Sequence, residues 1–184
     1  MMAGTAESIH RYTADEYYAE TEQLEQRTEL LDGEIVDMAS PSIRHQRISR
    51  RLIAKAEQFI RENGGKCEPF PEIDVKLDDL NIVVPDVMIA CDPEKFDEQK
   101  YNGAPDFVVE IVSSNRSNDF DRKLWLYRRS GVREYWIIDP KHEKVLVYFF
   151  EETSCPEVYD FHTPIPVHIW ENRLTVTIAE LERV

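Results

Sequence analysis

Two carboxylates stand inside apolar runs of the kind that form buried sheet strands. The runs are Ile82-Val83-Val84-Pro85-Asp86-Val87-Met88-Ile89-Ala90 and Asp106-Phe107-Val108-Val109-Glu110-Ile111-Val112. A near-continuous Val/Ile/Phe run reads as a strand covered on both faces, which restricts the fold to one whose sheet is sandwiched between other elements. An ionised carboxylate in such a strand is expensive unless a metal ion or a fixed cation meets it. Either acid alone would be served as well by backbone amides or an arginine at a strand end. Two acids in successive strands, followed by a core-facing lysine, favour a metal-dependent active site containing Asp86 and Glu110.

Helical arithmetic places that lysine. The stretch Ser117 to Ser130 opens on a serine suited to capping, carries acids early and arginines late, and is followed by Gly131. At about 100° per residue, Phe120, Leu124, Leu126 and Tyr127 share one arc, and Lys123 falls near its middle. A lysine there either snorkels outward or meets a buried anion. The helix directly follows the strand carrying Glu110, so the second reading is preferred, with the ammonium folded back over that strand.

Pro85-Asp86, Val109-Glu110-Ile111-Val112-Ser113-Ser114, Asp121-Arg122-Lys123-Leu124-Trp125-Leu126-Tyr127 and Gly131 to Pro140 together resemble the Uma-type restriction-endonuclease family. This family lies within the PD-(D/E)XK nuclease superfamily. Glu29 to Pro41, followed by His45, is similar to the same family. The resemblance implies an α/β, restriction-endonuclease-like fold with a mixed central sheet flanked by helices. It also implies endonuclease chemistry. The superfamily motif places lysine two residues after the acid, where this chain has Val112. The resemblance thus implies that the lysine role has moved to Lys123, the residue that helical arithmetic reaches independently.

The rest of the chain fits one domain of 184 residues, with a core over about 13–140 and a β-rich C-terminal extension over 141–184. Thr13-Ala14-Asp15-Glu16 is a capping box opening a short helix to about Thr21, and Asp32-Gly33 is a hairpin turn between Arg27–Leu31 and Glu34–Ala39. Ser42 to Asn63 reads as the longest helix, stopped by Gly64-Gly65. The spacing predicts strands near Lys66–Pro69, Glu72–Leu77, Val83–Ala90 and Asp106–Ser113, a loop over Asp92–Ala104, and a parallel crossover to Glu134–Asp139. Further strands are expected at Glu143–Phe150, Glu157–Phe161 and Val167–Trp170.

No run reaches a membrane span, and Met1 to Ser8 lacks the features of a signal peptide. Cys67, Cys91 and Cys155 show no ligand-like spacing, which points to reduced thiols in a cytoplasmic protein. The net charge of −14 opposes strong non-specific binding to nucleic acid. Local basic character is confined to Arg44, Arg47, Arg51 and Lys55, a stripe at helical spacing that is either a solvated face or a narrow binding surface.

His45 falls near the centre of the long helix's apolar arc, where a hydrogen-bonded core histidine and a site-lining residue are equally good readings. The resemblance favours the site, and it adds an early acid, Glu29, with Glu34 as its rival. Oxygen ligands from Asp86 and Glu110, joined by the carbonyl of Ile111, suit Mg²⁺ or Mn²⁺. Lys123 would orient water or stabilise transition-state charge during phosphodiester hydrolysis, with DNA as the expected substrate. Trp125 and Trp136 fit packing or subunit contact better than base stacking, and a homodimer is the expected assembly. The competing readings are a non-catalytic dimeric binding protein that keeps the fold, and a two-carboxylate glycoside hydrolase, which leaves the lysine without a role.

Overall fold

A computed structural model describes residues 10–113, 119–153 and 155–183. Met1 to Ser8, the Ser117 cap and the Phe120 side chain therefore lie outside the described residues. Thr13 caps α1 (Ala14–Thr21) through a complete capping box with Glu16. The hairpin of β1 (Thr28–Leu31) and β2 (Glu34–Asp37) turns on Asp32 and Gly33, with φ of 48° and 79°. A Cβ on Gly33 would lie 2.8 Å from Arg11 Cβ, so this turn needs glycine for room as well as for conformation. Ser42 caps α2 (Ile43–Asn63), whose inner face buries His45, Ile48, Leu52 and Ala56 before Gly64 ends it at φ 65°.

The following elements are β3 (Glu68–Phe70), β4 (Asp74–Asp78), β5 (Asn81–Val83), β6 (Val87–Ala90), β7 (Lys100–Asn102) and β8 (Phe107–Ile111). The run from Ile82 to Ala90, expected as one strand, is two. Pro85 lacks an amide hydrogen and cannot continue a ladder, so the chain crosses between sheets at Val84-Pro85-Asp86. β5 pairs with β1 and β4, whereas β6 pairs with β3 and β8. Asp86 consequently stands at the entrance to β6, not within a strand. The expected loop at Asp92–Ala104 contains a short 3₁₀ turn (Pro93–Lys95) and β7, which pairs in parallel with β4.

Next come α3 (Asp119–Ser130), β9 (Glu134–Asp139), β10 (Lys144–Phe149) and β11 (Glu157–Asp160). The crossover expected from sequence is present: β8 and β9 pair in parallel on either side of α3. The central sheet is mixed, in the order β11-β10-β9-β8-β6-β3, and a second sheet runs β2-β1-β5-β4-β7. Alternation along β6 and β8 sends Val87, Ile89, Phe107 and Val109 to the core beneath α2. It sends Met88 and Val108 to the core shared with Leu126 and Tyr127 of α3.

The C-terminal strands β10 and β11 extend the central sheet, and the segment after them closes the α2 side through Ile165, Val167, Ile169 and Trp170. Here β12 (Ile165–Pro166) pairs with β13 (Thr175–Val176), and α4 (Ile178–Glu182) follows. The strand expected at Val167–Trp170 is instead a 3₁₀ turn at His168–Trp170, because Trp170 packs on Phe59 with ring centroids 4.7 Å apart. The basic stripe of α2 is largely taken up in holding this segment: Arg44 pairs with Glu182, Lys55 with Glu180, and Arg51 donates to the carbonyls of Leu181 and Arg183.

The cysteine reading is corrected. Cys67 and Cys91 form a disulfide, and only Cys155 is free and exposed. The register Glu68↔Ala90 between β3 and β6 sets the preceding and following residues, Cys67 and Cys91, opposite each other. Strand pairing across 24 residues creates this proximity, and no local spacing signals it. Among the described residues, no helix is long and apolar enough to cross a membrane.

Candidate active site

Lys123 and Tyr127 are one helical turn apart and project together from α3 onto Glu110. The ammonium lies 2.9 Å from Glu110 Oε1 and 2.8 Å from Glu29 Oε1, and the Tyr127 hydroxyl donates to Glu110 Oε1 at 2.7 Å. Glu29 reaches this point from β1 and also accepts the Val84 amide at 2.8 Å, which anchors it beside the crossing between the sheets. Lys123 is 2% exposed, Glu29 1% and Glu110 4%, so two buried carboxylates share one buried ammonium. Glu34, the alternative early acid, is exposed and pairs with Arg122.

The charges in this cluster shift one another. Burial pushes Glu110 above the usual carboxylate range; Lys123 pulls it down, while Asp86 and Glu29 push it up again. For Lys123, burial disfavours the ammonium, but Glu110 and Glu29 more than reverse this and hold its pKa above the ordinary lysine value. Burial, followed by the nearby acids, keeps the Tyr127 phenol protonated.

Asp86 lies across from Glu110, one step beyond the Val87↔Val109 pair, but its carboxylate has different partners. Oδ2 accepts the Ile111 amide at 2.6 Å, and Oδ1 stands 3.1 Å from His45 Nε2. The imidazole contact is short yet poorly aligned, and neither ring nitrogen of His45 has a well-aligned hydrogen-bond partner among the described residues. Burial works against a charged His45 ring, but Asp86, with Glu72 and Glu110 behind it, outweighs burial and raises its pKa.

Glu72 completes the group. Its backbone is left-handed at φ 46°, its amide donates to the Pro85 carbonyl at 3.1 Å, and its carboxylate receives Arg27 at 2.6 Å and Gln46 at 3.2 Å. One donor atom from each of His45, Glu72 and Asp86 lies within 4.8 Å of the other two. A single ion with ligand bonds of about 2.0–2.6 Å spans such a set, so these residues fit a divalent cation. An open cavity of about 510 Å³ exposes this cluster, with Arg27 and Glu72 among its lining residues and Asp86, Glu110, Ile111 and Lys123 in its wall.

All six residues singled out from sequence (Glu29, His45, Asp86, Glu110, Ile111 and Lys123) therefore converge on one region. Val112, at the superfamily's lysine position, packs in the α3-side core. The reading from sequence missed Tyr127 as a partner of Glu110, although the apolar arc of α3 already held it beside Lys123. It also missed Glu72 and Arg27, for which no periodicity or spacing gives a signal.

The buried carboxylates and the lysine stand in the wall of an open cavity on a mixed α/β sheet. The structure superimposes with a TM-score of 0.77 on a protein from Anabaena variabilis ATCC 29413 described as "a putative nuclease belonging to DUF820", at 22% identity over 92% of this chain and 96% of that one. A protein of Synechocystis sp. PCC 6803, "Uncharacterized protein sll1609", is 27% identical over 134 residues, or 69% of this chain and 74% of the relative. Residues 14–172 match the family model described as "Uma2: Putative restriction endonuclease". The chain belongs to the Uma2 family.

Proposed function

We propose that this protein is a divalent-metal-dependent endonuclease that hydrolyses phosphodiester bonds in DNA. The observation that carries the reading is Asp86, Glu110 and Lys123 brought together in the wall of an open cavity, with no apolar substitute for any of them. Buried charge networks of this kind seldom add stability over an apolar core, so their retention points to chemistry. Asp86, Glu110 and the Ile111 carbonyl are the proposed ligands for Mg²⁺ or Mn²⁺. When bound, such an ion acidifies a coordinated water and offsets phosphate charge.

The chain's own groups supply the rest. Lys123, kept charged by Glu29 and Glu110, stabilises the negative charge that grows on the phosphate oxygens. Glu29 positions the ammonium, and Tyr127 fixes the orientation of Glu110. Arg27, which lines the cavity and pairs with Glu72, is the proposed contact for the substrate's phosphate backbone. The test is cleavage of supercoiled plasmid by the purified protein with Mg²⁺ or Mn²⁺, compared with EDTA and with Glu110→Gln. Cleavage that requires the metal and Glu110 supports the reading; intact plasmid under every metal condition refutes it.

One observation favours a non-catalytic, dimeric binding protein instead. Arg44, Arg51 and Lys55 of the α2 basic stripe are spent on the C-terminal segment, and the net charge is −14. Under that reading Mg²⁺ and Mn²⁺ leave the melting temperature unchanged, whereas an ion that binds only the folded state must raise it.

A further inference from the structure

We infer that the divalent ion of this cavity sits against Asp86 Oδ1 between His45 and Glu72, and that the imidazole makes this seat prefer Mn²⁺ to Mg²⁺. The inference rests on the metal-dependent reading above and names two ligands from outside the Asp86–Glu110 pair. Lys123 and Tyr127 both bond Oε1 of Glu110, so Glu110 would join such an ion only through Oε2, beside this seat. Asp86 Oδ2 faces the Ile111 amide, which leaves Oδ1 as the oxygen turned towards other donors.

Those donors are already in place. The 3.1 Å between His45 Nε2 and Asp86 Oδ1 matches the separation of about 3 Å between adjacent ligands on an ion with bonds near 2.1 Å. Glu72 brings a carboxylate oxygen within 4.8 Å of a ligand atom of each of these residues. The His45 ring is 6% exposed, lines the cavity, and has no aligned hydrogen-bond partner among the described residues. Buried polar nitrogens are rarely left this way, and an ion at Nε2 would satisfy one of them.

Glu72 is held for the same task. Its amide on the Pro85 carbonyl ties it to the residue before Asp86. Arg27 and Gln46 each take one of its carboxylate oxygens, and each oxygen keeps a second lone-pair direction for an ion.

The donor set separates Mn²⁺ from Mg²⁺. Mg²⁺ is a hard ion that favours an all-oxygen shell, whereas an imidazole nitrogen gains more from a transition ion. A seat of two carboxylates and one imidazole therefore separates the two ions in a way that Asp86, Glu110 and a backbone carbonyl would not.

The test titrates Mn²⁺ alone into the full chain and reads free Mn²⁺ by electron paramagnetic resonance, with Mg²⁺ as competitor. Pulsed measurements on the bound ion detect hyperfine coupling to an imidazole nitrogen. The expected result is Mn²⁺ bound roughly tenfold or more tightly than Mg²⁺, with nitrogen coupling that His45→Gln abolishes while bringing the two affinities together. Glu72→Gln should weaken both ions roughly tenfold or more. Bound Mn²⁺ without nitrogen coupling in the unaltered protein overturns the inference, and that measurement needs no variant to fold. So does a preference for Mn²⁺ that survives in His45→Gln. Nitrogen-coupled Mn²⁺ in a protein that leaves DNA intact would retire the nuclease reading and keep the seat. Metal-dependent cleavage without nitrogen coupling would do the reverse.

Discussion

Replacing Lys123 by methionine keeps most of the side chain's apolar bulk and removes only the ammonium, so it isolates the charge. Matched bulk alone would suggest a modest loss of stability. The geometry gives a larger one: the ammonium lies 2.8 Å from Glu29 and 2.9 Å from Glu110, and all three groups are buried. Stranding a buried charge costs about 3–5 kcal/mol, and here two carboxylates lose the same partner, so the upper end applies. A domain whose stability lies above the lower end of the usual range of about 5–15 kcal/mol bears that and still folds. In urea, with a slope of about 2 kcal/mol/M, the midpoint should fall by about 2 M at neutral pH. Adding Glu29→Gln and Glu110→Gln to the methionine variant should recover most of the loss, since glutamine at position 29 can still accept the Val84 amide. A loss below about 1 kcal/mol, the range of an exposed ion pair, would refute the buried-countercharge argument. So would a triple variant no more stable than the single one. Loss of plasmid cleavage in the methionine variant, measured where it remains folded, is the matching expectation for activity.

If Mn²⁺ raises the melting temperature, as the proposed metal site requires, Asp86→Asn should abolish that rise while leaving the metal-free value level or higher, because it relieves repulsion with Glu110; a clear metal-free fall would mark Asp86 as a structural partner of His45. Glu134 has its pKa pushed up to about 7, chiefly by burial, although the Ile169 amide and the Trp136 indole both donate to it. Its protonated form is therefore favoured on folding. The stability it contributes is complete below the ordinary value of 4.5 and is lost as pH rises to about 7. Denaturation between pH 5 and 8 should show a loss to which Glu134 contributes up to about 3 kcal/mol, the share that Glu134→Gln removes. Reduction of the Cys67–Cys91 disulfide should cost roughly 3 kcal/mol from loop entropy. Melting with and without reductant checks this, and alkylation of the unreduced protein should label Cys155 alone.

Much of the local structure is written in short-range pattern. The Thr13 and Ser42 caps and the Asp32-Gly33 turn each depend on residues only a few positions apart, and the parallel crossover through α3 follows from the order strand, helix, strand. The main candidate residues stood out in the sequence for a related reason. Asp86, Glu110 and Lys123 violate an apolar pattern, and such violations survive only where something compensates them.

Tertiary structure decided what depends on pairing between distant segments. Pro85 could be seen to interrupt a ladder, but only the sheet order shows that the chain changes sheets there and leaves Asp86 beside His45. Glu29 and Glu34 lie on either side of one turn and look equivalent in sequence. Glu29 is buried because β1 is covered on both faces at that point, while β2 is an edge strand that leaves Glu34 exposed. Cys67 meets Cys91 through the β3–β6 register, and the α2 arginines meet α4 from more than a hundred residues away in the chain. Periods of 2 and 3.6 residues report which face of an element is apolar. They carry no information about which other element covers that face, and it is that covering contact which brings Glu72, His45 and Asp86 together.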